Sequence, residues 1–361
     1  MQFGFEATGD AIAKAERQMA YVQQVERRSL QRNQARAQAL KDNESAISKA
    51  LEAYRKLEDP DIHDVRIRTG FIYTDDKRRQ EPYDPPYSLA TDVETRPMMT
   101  KLVARRSHAL KLLLTIIYVA HMHTSPGSAF DNDHPNILSE RGRAPWLLLS
   151  GMSPDVPFHH RRYLRRSLNV ALDRLAALNV VALSKTSETA GRYSGFTVMR
   201  EDGFGRRYTV PAQQVTSTRA AVILPVDFFR QGWHLVLTDL ELVTLLAIID
   251  FTGFTANVAR SDDVAEIGVG LGIDVRRDRY GLSGEAYHSI HMLHKVGIID
   301  VIDPMPQRRN GRLPSKFFDS YSGTGTTESN SQIPYRLVYP SLRIDQAFQQ
   351  PAMSTLLAHL Q

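Results

Sequence analysis

A short basic segment carries the strongest chemical signal in the sequence. Its members are Arg161, Arg162, Arg165, Arg166 and Asn169. In a helix these side chains point away from the apolar positions Leu164 and Leu168, so they share the solvent side. Guanidinium groups pair with phosphates or with guanine O6 and N7, and an asparagine amide pairs with adenine N6 and N7. Arginines at a helix N-terminus also oppose the helix dipole, so helix stability does not explain them. We interpret the segment as a polyanion contact, with a plain solvated face as the alternative.

Two polar loops and one further helix face are candidate contacts of the same kind. The loop residues are Arg192, Arg206 and Arg207 in the first half of the chain and Arg308, Arg309 and Arg312 in the second. A flexible basic tip suits phosphates or an A·T minor groove, and a mobile surface loop is the alternative. The helix face carries His288 and Lys295, which is a less basic set.

Catalytic and metal-binding signals are weak. His121-Met122-His123 resembles the His-hydrophobic-His motif of rolling-circle nucleases, which would use a tyrosine such as Tyr163. Histidines two apart at the end of a helix point in different directions, so a metal-dependent nuclease is only a remote alternative. Phosphate-loop and dinucleotide motifs are absent from the sequence. We therefore expect no enzyme activity, no cofactor and no metal.

Composition limits the class of protein. The chain has 361 residues, no cysteine and a formal net charge of +5, which permits a polyanionic partner without demanding one. The longest apolar run, Leu110 to Ala120, is broken by Lys111 and is shorter than the roughly 20 residues that span a bilayer. With no secretory signal visible, we expect a cytoplasmic protein without a membrane partner.

The first 60 residues predict a helical arm. From Asp10 to about Glu58 there is no proline or glycine, which favours one long helix or a helical pair. Its middle carries a basic stripe, consisting of Arg27, Arg28, Arg32 and Arg36. This stripe is either a solvated face or an arm that binds phosphates or a protein partner. Residues 61–97 then predict a strand, Val65 to Tyr73, and a proline-rich linker.

Residues 98–210 predict a first globular unit. A core helix reaches His123, a polar loop follows, and Phe158 to Leu178 is strongly periodic. Asn179 is placed as a left-handed helix stop, before strands at Val180 to Lys185 and Tyr193 to Met199.

A linker, 211–221, separates this unit from a second one, 222–343. A capping box, Thr238 to Glu241, begins a helix that runs to about Phe251. A shorter helix, capped at Ser261, ends in the glycine-rich region 268–272. Ser283 caps a third helix, Gly284 to Val296, and Gly297 stops it. Strands at Ile298 to Ile302 and Tyr335 to Tyr339 flank a long polar loop, and a C-terminal tail, 344–361, has a helix as one option.

The two units share a junction of amphipathic helix, left-handed stop and apolar strand, at Leu175 to Leu183 and at Leu293 to Val301. The order helix, helix, helix, strand, wing, strand resembles the winged-helix family over residues 98–210 and 222–340. The tandem arrangement is similar to that of plasmid replication initiators. The expected fold is mainly α with small β-hairpins (α+β), as two winged-helix-like units in tandem behind a long N-terminal helix.

The resemblance implies that the third helix of a unit enters the DNA major groove and that the wing contacts the backbone or minor groove. The leading hypothesis is sequence-specific binding of double-stranded DNA, as a replication initiator or a transcription regulator. The alternative is a protein-interaction scaffold. A homodimer and a protein partner bound by the N-terminal helix stay open.

Overall fold

The computed structural model describes residues 9–57, 59, 61–74, 96–103, 108–137, 142–152, 161–184, 191–212, 220–259, 267–304, 334–339 and 346–360. The chain is mostly helical with small antiparallel sheets, which confirms the expected α+β class. The proline-rich linker, the helix expected after Ser261 and the basic tip at Arg308, Arg309 and Arg312 lie outside these residues.

The N-terminal region is a helical pair. Helix α1 (Gly9–Asp42) and helix α2 (Glu44–Arg55) meet at Asn43. The second helix buries one face, including Ile47, Ala50 and Tyr54, in the main core. The C-terminal helix of the pair, α2, therefore belongs to the main core.

A strand and short helices precede the core helix of each unit. In the first unit these are β1 (Asp64–Arg68), α3 (Thr69–Ile72) and α4 (Met98–Leu102); in the second they are β4 (Ala221–Pro225), α8 (Val226–Arg230) and α9 (Trp233–Val236). Strands β1 and β4 pair antiparallel, with Arg66 opposite Ile223 at the centre. The strand expected to reach Tyr73 thus ends at Arg68. Phe71 and Ile72 are both buried, and a helical turn accommodates consecutive buried residues that an alternating half-buried strand does not.

The first unit is built on three helices and a small sheet. It contains α5 (Ala109–His123), α6 (Trp146–Leu149), α7 (Arg161–Ala177), β2 (Val181–Ala182) and β3 (Thr197–Val198). Strands β2 and β3 pair antiparallel, and bridges at Met199–Arg207 and Ala129–Thr209 extend this small sheet. Asn179 has a φ of 57°, which confirms the left-handed stop.

The second unit has a larger sheet, of three strands. It contains α10 (Asp239–Ala259), β5 (Val269–Gly270), a π-helix (Val275–Arg279), α11 (Gly284–His288), α12 (Ile290–Lys295), β6 (Asp300–Ile302) and β7 (Arg336–Val338). Strand β7 lies between β5 and β6, antiparallel to both. The capping box is confirmed: the Thr238 amide donates to Glu241 Oε2 at 2.8 Å, and the Glu241 amide donates to Thr238 Oγ1 at 3.2 Å.

Two expectations for the second unit were wrong: the end of α10 and the undivided helix after Ser283. Helix α10 continues past Phe251 to Ala259, because no residue within it adopts the left-handed conformation that ends helices. The glycine-rich region 268–272 begins at a helix end, as expected: Ile267 is helical, Gly268 has a φ of 80°, and strand β5 follows. The helix capped by Ser283 is divided at Ser289, whose amide bonds to Ala286 O three residues back, in a tightened turn.

The two units interlock through the elements that precede them. Helix α3 of the first unit packs against α10 of the second, and α9 of the second packs against α5 of the first. The C-terminal tail forms α13 (Ala352–Leu360), which packs against α1 and α9. One helical segment among the described residues, Asp239–Val258, is long and apolar enough to cross a membrane, but half of it is buried inside the protein. That placement fits a core helix of a soluble protein.

Candidate nucleic-acid interface

Helix α7 presents the predicted basic segment on its solvent side. The buried positions Leu168, Ala171, Leu172 and Leu175 hold the helix against the core, as the periodicity predicted. Arg165 and Arg166 are exposed on the opposite side, Tyr163 is 67% exposed, and Asn169 is half-buried one turn further on. The helix begins at Arg161, and the side chains of Arg161 and Arg162 lie outside the described part of the structure.

Two charges of this face, those of Arg165 and Arg166, are exposed to solvent. Within the described chain neither Arg165 nor Arg166 makes a side-chain hydrogen bond or an ion pair. The acidic residue that follows on α7, Asp173, is engaged elsewhere, at the base of the wing (the segment between β2 and β3). Two adjacent guanidinium groups are therefore available to an anionic partner.

The base of the wing is tied to α7 by ionic and aromatic residues. Arg192 pairs with Asp173 at 3.3 Å, and the Tyr193 hydroxyl donates a hydrogen bond to Asp173 Oδ2 at 2.9 Å. The guanidinium of Arg192 also lies 5.5 Å from the centre of the Tyr193 ring. Arg192, predicted as a contact residue, thus already has an acidic partner and orients the wing.

Two asparagines of the loop between α5 and α6 hold the wing from its other side. The Asn132 amide donates to Phe196 O at 2.8 Å, and the Asn136 amide donates to Tyr193 O at 2.7 Å. Asn132 is itself fixed, because its Oδ1 accepts the indole N–H of the buried Trp146 at 3.0 Å. The sequence interpretation missed both asparagines, since it treated this stretch only as a polar loop.

The structure separates Arg206 and Arg207 from the α7 face. Arg207 is ion-paired with Asp131, whereas Arg206 is exposed and has no side-chain partner within the described residues. Their turn lies at the far end of α7, where Gly203 approaches Leu178 O. Leu178 directly follows α7 and lies twelve positions after Arg166, which corresponds to roughly 18 Å along a helix. These two arginines do not extend the basic segment.

The second unit shows a less basic surface. His288 and Lys295 are exposed on α11 and α12, and the ring centres of His288 and His291 lie 6.1 Å apart. Burial and the neighbouring histidines lower the pKa of His291, which favours its neutral form. The cations of the preceding π-helix are engaged internally: Arg276 stacks on Tyr287, and Arg279 pairs with Asp250 at 3.3 Å.

The paired histidines at the end of α5 do not share a face. His121 is buried, with Nδ1 2.8 Å from Ile117 O, while its Nε2 accepts the Arg66 amide at 3.1 Å. Burial lowers the pKa of His121 to about 4, so the ring is neutral and both nitrogens are occupied. His123 is exposed instead. Within the described residues, no group of three or more histidine or acidic side chains could hold a metal ion.

Comparison with known protein families, with curated proteins and with solved structures finds no match to this chain.

Proposed function

We propose that the chain binds double-stranded DNA through α7, as a tandem winged-helix protein that acts as a replication initiator or a transcription regulator. The observation that carries the proposal is the pair of exposed, unneutralised arginines Arg165 and Arg166, with Asn169 one turn away, on the third helix of a helix, helix, helix, strand, wing, strand unit. Arginine and asparagine are the side chains that read guanine and adenine in the major groove.

The element order of both halves supports winged-helix units. In the first half three helices lead into β2, a connecting segment and the returning strand β3; in the second half α10, β5, the π-helix, α11 and α12 precede β6, a connecting segment and the returning strand β7. In the second half the returning strand β7 lies beside β6, as a wing hairpin requires. The internal pairing of β1 with β4 and the reciprocal packing of α3 and α9 support two related units held as one body.

The contrast in charge between the halves supports α7 as the reading helix. In the second half the arginines of the π-helix face aromatic rings or carboxylates, and the exposed set on α11 and α12 includes Glu285 beside Lys295. In the first half Arg165 and Arg166 of α7 face solvent. Phosphate attraction is therefore stronger at the first unit.

The test is a fluorescence-anisotropy titration of a random-sequence duplex at two salt concentrations. We expect the wild-type affinity to fall steeply with salt. The double variant R165A/R166A removes two phosphate contacts, so its log–log salt slope should decrease by about 1.8 and its affinity at low salt by about tenfold or more.

The matched control is R27A/R28A, which also removes two adjacent, exposed arginines, but from α1. We expect this control to keep most of the affinity and the slope. If both double variants lost the same amount of affinity, DNA would be bound by general attraction to a basic protein and not by α7. Unchanged binding in R165A/R166A would refute the role of α7.

A protein-interaction scaffold is the second candidate, and α1 favours it. Between residues 16 and 32 every described side chain is exposed, including Met19 at 61% and Tyr21 at 66%. A helical segment whose described side chains are all exposed gains little stability from the rest of its chain. Absence of duplex binding by the wild-type protein at low salt would favour this function over DNA binding.

A further inference from the structure

An exposed phenylalanine stands at the tip of a well-fixed turn in the first unit. Phe204 is 80% exposed, more than any other large apolar residue that the structure describes. Its amide donates to Asp202 Oδ1 at 3.2 Å, and Asp202 in turn pairs with Arg200 at 2.6 Å. The flanking Gly203 and Gly205 have φ values of 78° and 68°, a conformation that glycine adopts without strain. The turn therefore holds the ring outward.

A cavity of about 330 Å³ opens beside the same turn. Arg68 and Arg200 form part of its wall, and the small residues Gly70, Ala212 and Ala221 leave the space open. A cavity of about 150 Å³ already holds a benzene molecule, so this one has room for a benzyl group. The guanidinium groups of the wall are paired with Glu201 and Asp202, so the cavity fits the ring through its size and its small side chains.

We propose that the chain forms a symmetric dimer in which Phe204 of each copy enters this cavity of the other. The projecting ring and the cavity belong to the same turn, because Arg200 and Asp202 line the cavity and Phe204 follows them. Two copies related by a two-fold axis each place Phe204 in the cavity of the other, so the two contacts form together. A self-complementary interface requires this reciprocity. A second copy of this chain is thus the occupant that supplies both halves of the contact.

The outer face of the β1–β4 sheet extends the interface. Ile223 is 46% exposed and lies two residues from Ala221 on β4, so both side chains are on one face. Two phenylalanines bury about 300–500 Å², and stable interfaces bury about 1,200–2,000 Å². The sheet face must supply the remainder, so we expect a reversible dimer that dissociates on dilution.

This surface is separate from the proposed DNA-binding face. It lies at the C-terminal end of α7, where Gly203 approaches Leu178 O, whereas Arg165 and Arg166 lie near the other end. The dimer proposal can therefore be tested, and refuted, independently of the DNA-binding proposal. It also assigns the exposed Arg206, next to the phenylalanine, to the surroundings of a protein interface.

Sedimentation velocity of the full chain over about a hundredfold range of concentration tests the dimer. We expect a monomer–dimer equilibrium for the wild type and a weakening of association by about a hundredfold or more in F204A, which loses two ring contacts per dimer. The matched control V258A truncates another exposed apolar residue, 62% exposed on α10, and should associate as the wild type does. A wild-type protein that stays monomeric, or an F204A dimer of unchanged strength, overturns the proposal.

A mixing experiment tests the reciprocal geometry. The variant A221L fills the cavity but keeps the phenylalanine, and F204A keeps the cavity but lacks the ring. Each alone should be mainly monomeric, with circular dichroism and the unfolding midpoint showing that it is folded. Fluorescently labelled F204A mixed with unlabelled A221L restores one of the two contacts, so we expect a heterodimer tighter than either homodimer. No gain on mixing overturns the insertion of Phe204 into this cavity.

Discussion

The ion pair between Arg36 and Glu241 fixes the N-terminal helix to the second unit. Arg36 Nη1 and Nη2 each bond to one oxygen of Glu241 at 2.6 Å. The side chains are 19% and 5% exposed, so the carboxylate is almost completely removed from water. Glu241 also accepts the Thr238 amide at the start of α10. One residue of α1 thus completes the cap of a helix more than 200 positions away.

Removing the guanidinium in R36A should destabilise the protein by about 3 kcal/mol, because it leaves a buried carboxylate without its bidentate partner. We place the value at the lower end of the range for broken buried pairs. Lys111 remains close enough to attract Glu241, and the Thr238 amide still bonds to it.

The matched control is K56A, which breaks an ion pair of similar length, 3.0 Å, between Lys56 and Glu52. Both of these side chains are more than 60% exposed, at 74% and 63%. Water and salt screen such a pair, so we expect K56A to cost far less stability than R36A.

Urea unfolding followed by circular dichroism measures these differences. The set comprises the wild type, R36A, E241A, the double variant R36A/E241A and K56A. We expect the double variant to be less destabilised than the sum of the two single variants, because the second truncation removes the charge that the first left buried. If R36A lowers the free energy of unfolding no more than K56A does, the Arg36–Glu241 pair contributes no more than an exposed ion pair. That result would refute the argument from burial.

Three further predictions concern stability and the wing. Burial lowers the pKa of His121 from 6.5 to about 4, so the unfolded chain binds a proton first as the pH falls; stability should be full above pH 6.5 and drop by about 3 kcal/mol toward pH 4. In H121Q, urea unfolding at several pH values should show that this part of the pH dependence is gone, and an unchanged dependence would exclude His121 as its source. L172A, at a fully buried position of α7, should lower the free energy of unfolding by about 2–5 kcal/mol, whereas V170A, at a position 46% exposed, should cost less than about 1 kcal/mol; equal losses would contradict the assigned faces. N136A should reduce duplex affinity in the anisotropy assay while leaving the unfolding midpoint nearly unchanged, because the asparagine orients the wing; full affinity would remove that role.

Local signals in the sequence determined most of the helices and their ends. The apolar spacing along α7 predicted its buried face, and the stops at Asn179 and Gly297 follow from the left-handed conformation that these residue types tolerate. The capping box predicted the start of α10. Its two partners, Thr238 and Glu241, are only three residues apart, so the pattern is visible in the sequence. Such features depend on neighbours in the chain, so a single sequence contains them.

The tertiary structure alone decided which charges are free. Arg36 and Arg165 both belong to arginine-rich helical stripes, yet the first is paired with Glu241 across the fold and the second faces solvent. Likewise Asp131 engages Arg207 although 76 positions separate them. An ion pair between residues far apart in the chain produces no periodic pattern in the sequence. The sequence therefore cannot distinguish the paired arginines of a basic stretch from the free ones.

The pairing of β1 with β4 was also beyond the sequence. Each strand is five residues long and could pair with any other short strand, and the partners lie more than 150 residues apart. The amides of Arg66 and Arg68 on the outer edge of β1 are bonded by His121 and Glu201, which come from two other parts of the first unit. The sequence alone determined the long helices, the cap of α10 and the basic face of α7. Packing decided how the two units interlock and where the turn carrying Phe204 lies, because those outcomes depend on which surfaces meet.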